Sequence, residues 1–234
     1  MFVLGEVHDN PAHHAEQARR VAEIAPEALV FEMLTEDQAA RVTPELRDDA
    51  EVLETALGWA ESGWPDFAMY YPIFAAAPQA RIYGAAVPRE AAQAAMRDGH
   101  EVAFGPDAGR YGLTEALSAE EQAQREALQQ VAHCDALPEE MLPMMVSVQR
   151  LRDAALARAV VQALDQTGGP VAVITGNGHA RRDWGLPKVL ERVAPEARVF
   201  VLMQGEGDVV PEGGHDEVVF APPVERDDPC ATFR

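Results

Sequence analysis

The chain has 234 residues, 47% of them hydrophobic, with 19 Lys and Arg against 39 Asp and Glu for a formal net charge of −20. That length suits one domain, or two small ones, with material for a sizeable core; 17 Gly and 17 Pro among plentiful apolar residues exclude collagen-like and low-complexity chains. The acidic balance argues against nucleic acid and anionic membrane surfaces, which call for a basic face, and no run nears the about 18 apolar residues of a membrane-spanning helix.

Taken in chain order, short apolar runs alternate with longer stretches at helical spacing. Residues 2–5 read as a first strand. Asn10-Pro11 then supplies an N-cap and a proline for the first helical turn, and apolar spacing continues to Ile24 before Pro26. Residues 28–33 form the second strand, 35–46 and 48–63 helical pieces, 66–77 an aromatic segment, and 81–85 the third strand. A helix over 88–99, a Gly/Pro loop over 105–112, and long helices over 119–134 and 138–166 follow. Strands at 170–175, 198–203 and 217–220 complete the pattern. Beyond Gln204 the chain turns acidic and rich in Gly and Pro, and about the last 15 residues read as a poorly ordered tail.

This alternation predicts an α/β fold: a mostly parallel central sheet covered by helices on both faces, with an α-helical insertion before the fourth strand. The expected division is a single domain over residues 1–205, its insertion at about 113–166, and an edge strand with acidic tail over 206–234. No stretch reads as a linker. Cys134 and Cys230 belong to no CxxC pair and make no disulfide framework. Without a charged n-region and apolar h-region after Met1, the expected location is cytoplasmic as read, or periplasmic or lipid-anchored if the N-terminus is a shortened one.

Ligands of parallel sheets bind outside the carboxyl ends of the strands. There the first strand delivers Glu6 and His8, the second Glu32, and the fourth His179, followed by Arg181 and Arg182. His8 and His179 each stand three residues after a glycine, Gly5 and Gly176. Imidazoles beside carboxylates do general acid–base work, because the carboxylate fixes the tautomer and raises the imidazole pKa. The same four side chains, Glu6, His8, Glu32 and His179, are a donor set for a divalent metal. As a hydrolase, the site would use His8 or His179 to activate water, directly or through the metal, with Arg181 on the oxyanion. His13 and His14 lack an HExxH pattern and read as exposed first-turn residues; His100 and His215 earn no role. Met144 and Met145 keep helical spacing with Met141 and Val148, which suits core or groove lining.

The stretches Gly5-Glu6-Val7-His8-Asp9-Asn10-Pro11, Phe31-Glu32-Met33, Gln149-Arg150-Leu151-Arg152-Asp153 and Gly176-Asn177-Gly178-His179-Ala180-Arg181-Arg182-Asp183 resemble the ChaN-like haem-binding family. That family falls in the wider group of Tiki proteases, TraB-like proteins and erythromycin esterases. The resemblance implies haem as cofactor, a role in iron or haem acquisition, and a homodimer holding two stacked haems with tyrosine on the iron. Ferric haem takes such a ligand. The expected cofactor-binding residues are Tyr70 and Tyr71, with Tyr83 and Tyr111 as further tyrosines, Arg182 for the propionates and, from the helical insertion, His133. The enzymatic relatives imply the alternative, an esterase- or peptidase-like hydrolase built on the Glu/His cluster.

Overall fold

A computed structural model describes residues 1–228, 230 and 231. In chain order the elements are β1 (Phe2–Glu6), α1 (Pro11–Ile24), β2 (Ala28–Phe31), α2 (Glu36–Ala39), α3 (Ala50–Leu57), α4 (Phe67–Ala76), β3 (Arg81–Gly84), α5 (Arg89–Asp98), α6 (His100–Phe104), α7 (Ala119–Ala132), α8 (Leu142–Thr167), β4 (Val171–Gly176), α9 (Asn177–Ala180), α10 (Leu186–Val193), β5 (Phe200–Glu206) and β6 (Glu217–Ala221). The six strands form one sheet in the order β3-β2-β4-β1-β5-β6, and all five pairings are parallel. The α/β fold expected from the alternation is therefore present.

The chain divides into two compact units. The first comprises residues 1–86 and 156–224; the second comprises 87–155 with the described residues from 225 on. The second unit thus starts at Val87, earlier than the insertion expected at about 113–166, and takes in α5, α6, α7 and the first half of α8. No composition shift announces this division, because α8 runs through it without a break.

In the first unit β2 and β4 are buried along their whole length, as parallel strands covered on both faces must be. Phe31 at the end of β2 stacks on Phe74 of α4 with ring centroids 4.4 Å apart, inside a core that includes Trp59, Phe67 and Tyr70. Full burial of side chains of this size contributes about 1.5–3 kcal/mol each. The α1 helix opens as its sequence dictates: the Asn10 side chain accepts from the Ala12 N–H, and Pro11 occupies the first turn.

Several boundaries differ from expectation for local reasons. The helical stretch over 35–63 is broken into α2, a 3-10 turn at Glu45–Asp48, α3, and a second 3-10 turn at Trp59–Glu61. Pro44 precedes the first turn, and Gly58 at φ +60° ends α3 in a left-handed cap. The helix expected over 88–99 continues as α6 after Gly99, whose φ of +97° makes the joint. In the second unit Cys134 and Cys230 form a disulfide across 96 residues, which spacing alone did not reveal. Among the described residues no helix is long and apolar enough to cross a membrane.

Candidate functional site

The carboxyl ends of β1, β2 and β4, three neighbouring strands, bring Glu6, His8, Glu32 and His179 together. Glu6 closes β1 and is 2% exposed. Its Oε1 accepts from the Tyr70 hydroxyl at 3.0 Å and faces His8 Nδ1 at 2.7 Å. Its Oε2 lies 3.3 Å from His14 Nδ1. The opposite nitrogen of His14, Nε2, donates to the His8 carbonyl at 2.8 Å. A carbonyl accepts only, so His14 Nε2 carries a proton, and the carboxylate facing Nδ1 favours a second.

The electrostatics follow from this arrangement. Burial by itself would raise the Glu6 carboxyl, but the facing imidazoles of His14 and His8 outweigh it and hold the pKa down at about 2. Burial likewise works against charge on His8 and His14, and the Glu6 carboxylate reverses it, raising both imidazoles above their ordinary 6.5. Tyr70 moves strongly upward through its own burial and the neighbouring Glu6 charge, so its phenol stays protonated.

Glu32 lies one residue past β2 and is held from the β4 side. Its Oε2 accepts from Thr175 Oγ1 at 2.6 Å and from the Gly176 N–H at 2.8 Å. Its Oε1 faces His179 Nε2 at 3.5 Å and His8 Nε2 at 4.0 Å. Burial raises the Glu32 pKa, yet the charges of His179 and His8 and the Thr175 hydroxyl carry it below the ordinary carboxylate value. The site thus holds two carboxylates against imidazoles, with His8 as the bridge between them.

The glycines of the two Gly-x-x-His elements serve close approach. A Cβ at Gly176 would stand 2.7 Å from His8 Nε2, so the imidazole rests against bare backbone. A Cβ at Gly5 would meet Asn177 Oδ1 at 2.5 Å. Each motif's glycine therefore makes room for a side chain at or near the other. His8 keeps 35% of its side chain exposed and packs at 4.9 Å against the Trp64 ring.

Other expected residues stand elsewhere. Arg181 is paired twice with Asp183 at 2.6 Å, and its guanidinium covers the Trp184 ring at 3.7 Å. Arg182 pairs with Asp216 and donates to the Val199 carbonyl. Tyr71 donates to the Arg47 carbonyl at 2.9 Å and Tyr83 to Gln166 at 3.0 Å. In the second unit, His133 Nδ1 faces the Gln129 carbonyl at 2.7 Å, and Tyr111 is buried against Phe104. Among the described residues no group of three or more His, Cys, Asp and Glu is arranged to hold a metal ion.

The reading of His13 and His14 as exposed is corrected: both are 0% exposed. His13 Nδ1 accepts from the Val7 N–H and its Nε2 donates to the Gly205 carbonyl, so it fixes the turn after β1 as a neutral imidazole, its pKa lowered by burial. The signal was available, since His13, His14, Gln17 and Val21 are spaced as one helix face and are the buried residues of α1. The part Tyr70 plays on Glu6 had no such signal.

A family described as haem-binding uptake, Tiki superfamily, ChaN matches residues 1–190 of this chain. Among solved structures, one described as cofacial heme binding to ChaN of Campylobacter jejuni is similar at a TM-score of 0.67 and 18% identity, covering 92% of this chain and 84% of that one. The structure of the type III effector HopBA1 matches at a TM-score of 0.49 and 13% identity, over 94% of this chain and 87% of the other. No curated protein matches this sequence. The likeness to the Campylobacter protein is one of fold.

Proposed function

From a chain that belongs to the ChaN family of haem-binding uptake proteins in the Tiki superfamily, we propose a protein that binds haem and serves iron or haem handling. The observation that carries this reading is the family match, which runs through both Gly-x-x-His elements and the helical stretch between them.

The donor set favours imidazole over phenolate on the iron. Tyr70 is buried, protonated and bonded to Glu6, while Tyr71 and Tyr83 give their hydroxyl protons to internal acceptors. His133 is half-buried, and a carbonyl at its Nδ1 leaves the Nε2 lone pair as ligand, the usual setting of a metal-binding histidine. Bound there, haem would supply the iron; the protein's part is to hold the His133 tautomer.

The test is a hemin titration followed at the Soret band for the wild type, His133→Ala, Tyr70→Phe and Tyr71→Phe. Saturation at one haem per chain with a shifted Soret band, lost in His133→Ala alone, is expected. Saturable binding lost instead in a tyrosine variant moves the ligand to that tyrosine. Absorbance that never saturates ends the haem reading.

A second reading rests on the charge states at the strand ends. Glu32, its pKa lowered, points Oε1 toward His179 and His8, and the His8 imidazole beside it has its pKa raised above 6.5. This pair suits hydrolysis of an ester or peptide bond, with Glu32 taking a proton from water and His8 giving one to the leaving group. The roles differ from the expectation that His8 activates water, because Glu6 favours the charged form of its imidazole. Loss of about 100-fold or more of a hydrolytic rate in both Glu32→Gln and His8→Ala is expected; turnover unchanged in either removes the reading.

A further inference from the structure

The second unit holds a nucleophile and a base that neither reading above uses. Ser147, half-buried on α8, has its Oγ 2.5 Å from Nδ1 of His100, the first residue of α6. His100 Nε2 lies 2.9 Å from the Leu113 carbonyl. That carbonyl only accepts, so the proton of His100 is on Nε2 and Nδ1 presents its lone pair to the serine hydroxyl. Nucleophile, base and the group orienting the base stand in the order that activates a serine.

The surroundings keep the base neutral. Burial and the positive charge of Arg150 lower the His100 pKa, against the weaker pull of Glu101 and the Leu113 carbonyl. Arg150 lies three residues beyond Ser147 on α8, hence on the same helix face. Its Nη2 donates to the Gly112 and Glu115 carbonyls, which fixes the guanidinium beside the loop that orients His100. A cation on that helix face would stabilise a developing oxyanion at Ser147.

We propose that Ser147 and His100 form a second reactive site that accepts acyl groups from small carboxylic esters, independently of haem. In acylation the Ser147 Oγ–C bond forms as His100 Nδ1 takes the hydroxyl proton, leaving the negative charge on the carbonyl oxygen opposite Arg150. Collapse breaks the C–O bond to the alcohol, which leaves with the proton from His100. Water, giving its proton to Nδ1, then cleaves the acyl–serine bond, and the serine hydroxyl is restored.

The test uses the full chain and a fluorophosphonate, which forms an Oγ–P bond to an activated serine and expels fluoride. Peptide mass spectrometry should find one adduct, on the peptide bearing Ser147, absent from Ser147→Ala. His100→Gln, which keeps a donor for the Leu113 carbonyl, should slow labelling by about 100-fold or more, with the far-ultraviolet circular dichroism unchanged. p-Nitrophenyl acetate should give a stoichiometric burst in the wild type that Ser147→Ala loses. No adduct on Ser147, or labelling at the wild-type rate in a folded His100→Gln, overturns the proposal. Because the adduct is mapped by residue, its presence or absence is read separately from any turnover at Glu32 and His8.

Discussion

His8 and His100 are both partly buried imidazoles, each with both ring nitrogens facing polar groups, yet their pKa values move in opposite directions. His8 has a carboxylate at Nδ1 and a second one beyond Nε2; its pKa is raised. His100 has a hydroxyl at one nitrogen and a carbonyl at the other, with a guanidinium nearby; it is held neutral. Burial penalises the charge in both cases, so the sign of the outcome is set by whether the partner is itself charged. One arrangement makes an acid, the other a base.

Removing the charged partner breaks the comparison most severely. Glu6→Ala leaves the imidazoles of His8 and His14 without their carboxylate inside the protein, at an expected loss of about 3–5 kcal/mol. Urea unfolding measures it, and a loss below about 1 kcal/mol would show that His14 is neutral in the native state. Tyr70→Phe removes one hydrogen bond to the same carboxylate and should cost about 1.5–3 kcal/mol by the same assay. Gly176→Ala puts a methyl 2.7 Å from His8 Nε2 and should cost about 1–3 kcal/mol by overpacking. A ring resonance of His8 unmoved in that variant would contradict the packing of the imidazole on the glycine.

The pH response sharpens the contrast with the smallest effect. His8 and His14, raised above 6.5, add stability that is complete below 6.5 and is lost as pH climbs through their folded values. His100, lowered from 6.5, adds stability that is complete above 6.5 and is lost as pH falls through its folded value. Denaturation from about pH 5 to 9 should therefore show His14→Gln flattening the alkaline limb and His100→Gln the acid limb. The same limb responding to both substitutions would refute the opposite directions of shift.

What the sequence made legible follows the strands. Glu6, His8, Glu32 and His179 each stand within three residues of a short apolar run, so the rule that places sites at strand ends finds them. Tyr70 escapes that rule because α4 is apolar on every side, and nothing in Tyr70-Tyr71-Pro72 tells which hydroxyl points at the cluster. His14 shares a helix face with His13, Gln17 and Val21, but it is polar where a buried face is expected to be apolar. Ser147 and His100 meet across 47 residues through α6 and α8, with no spacing to announce them. The helices of 35–63 were over-extended because Gly58 and Pro44 act through local backbone geometry, which periodicity ignores.

The bond between Cys134 and Cys230 also changes what a cut in the chain means. A protease that nicks any loop between these residues severs the backbone and still releases no fragment, since both pieces remain joined through sulfur. Nicked protein would run as one species on a non-reducing gel and as two after thiol treatment. The span so protected includes β4, β5 and β6 together with His179, so one covalent link keeps a nicked chain's share of the strand-end cluster attached to the rest.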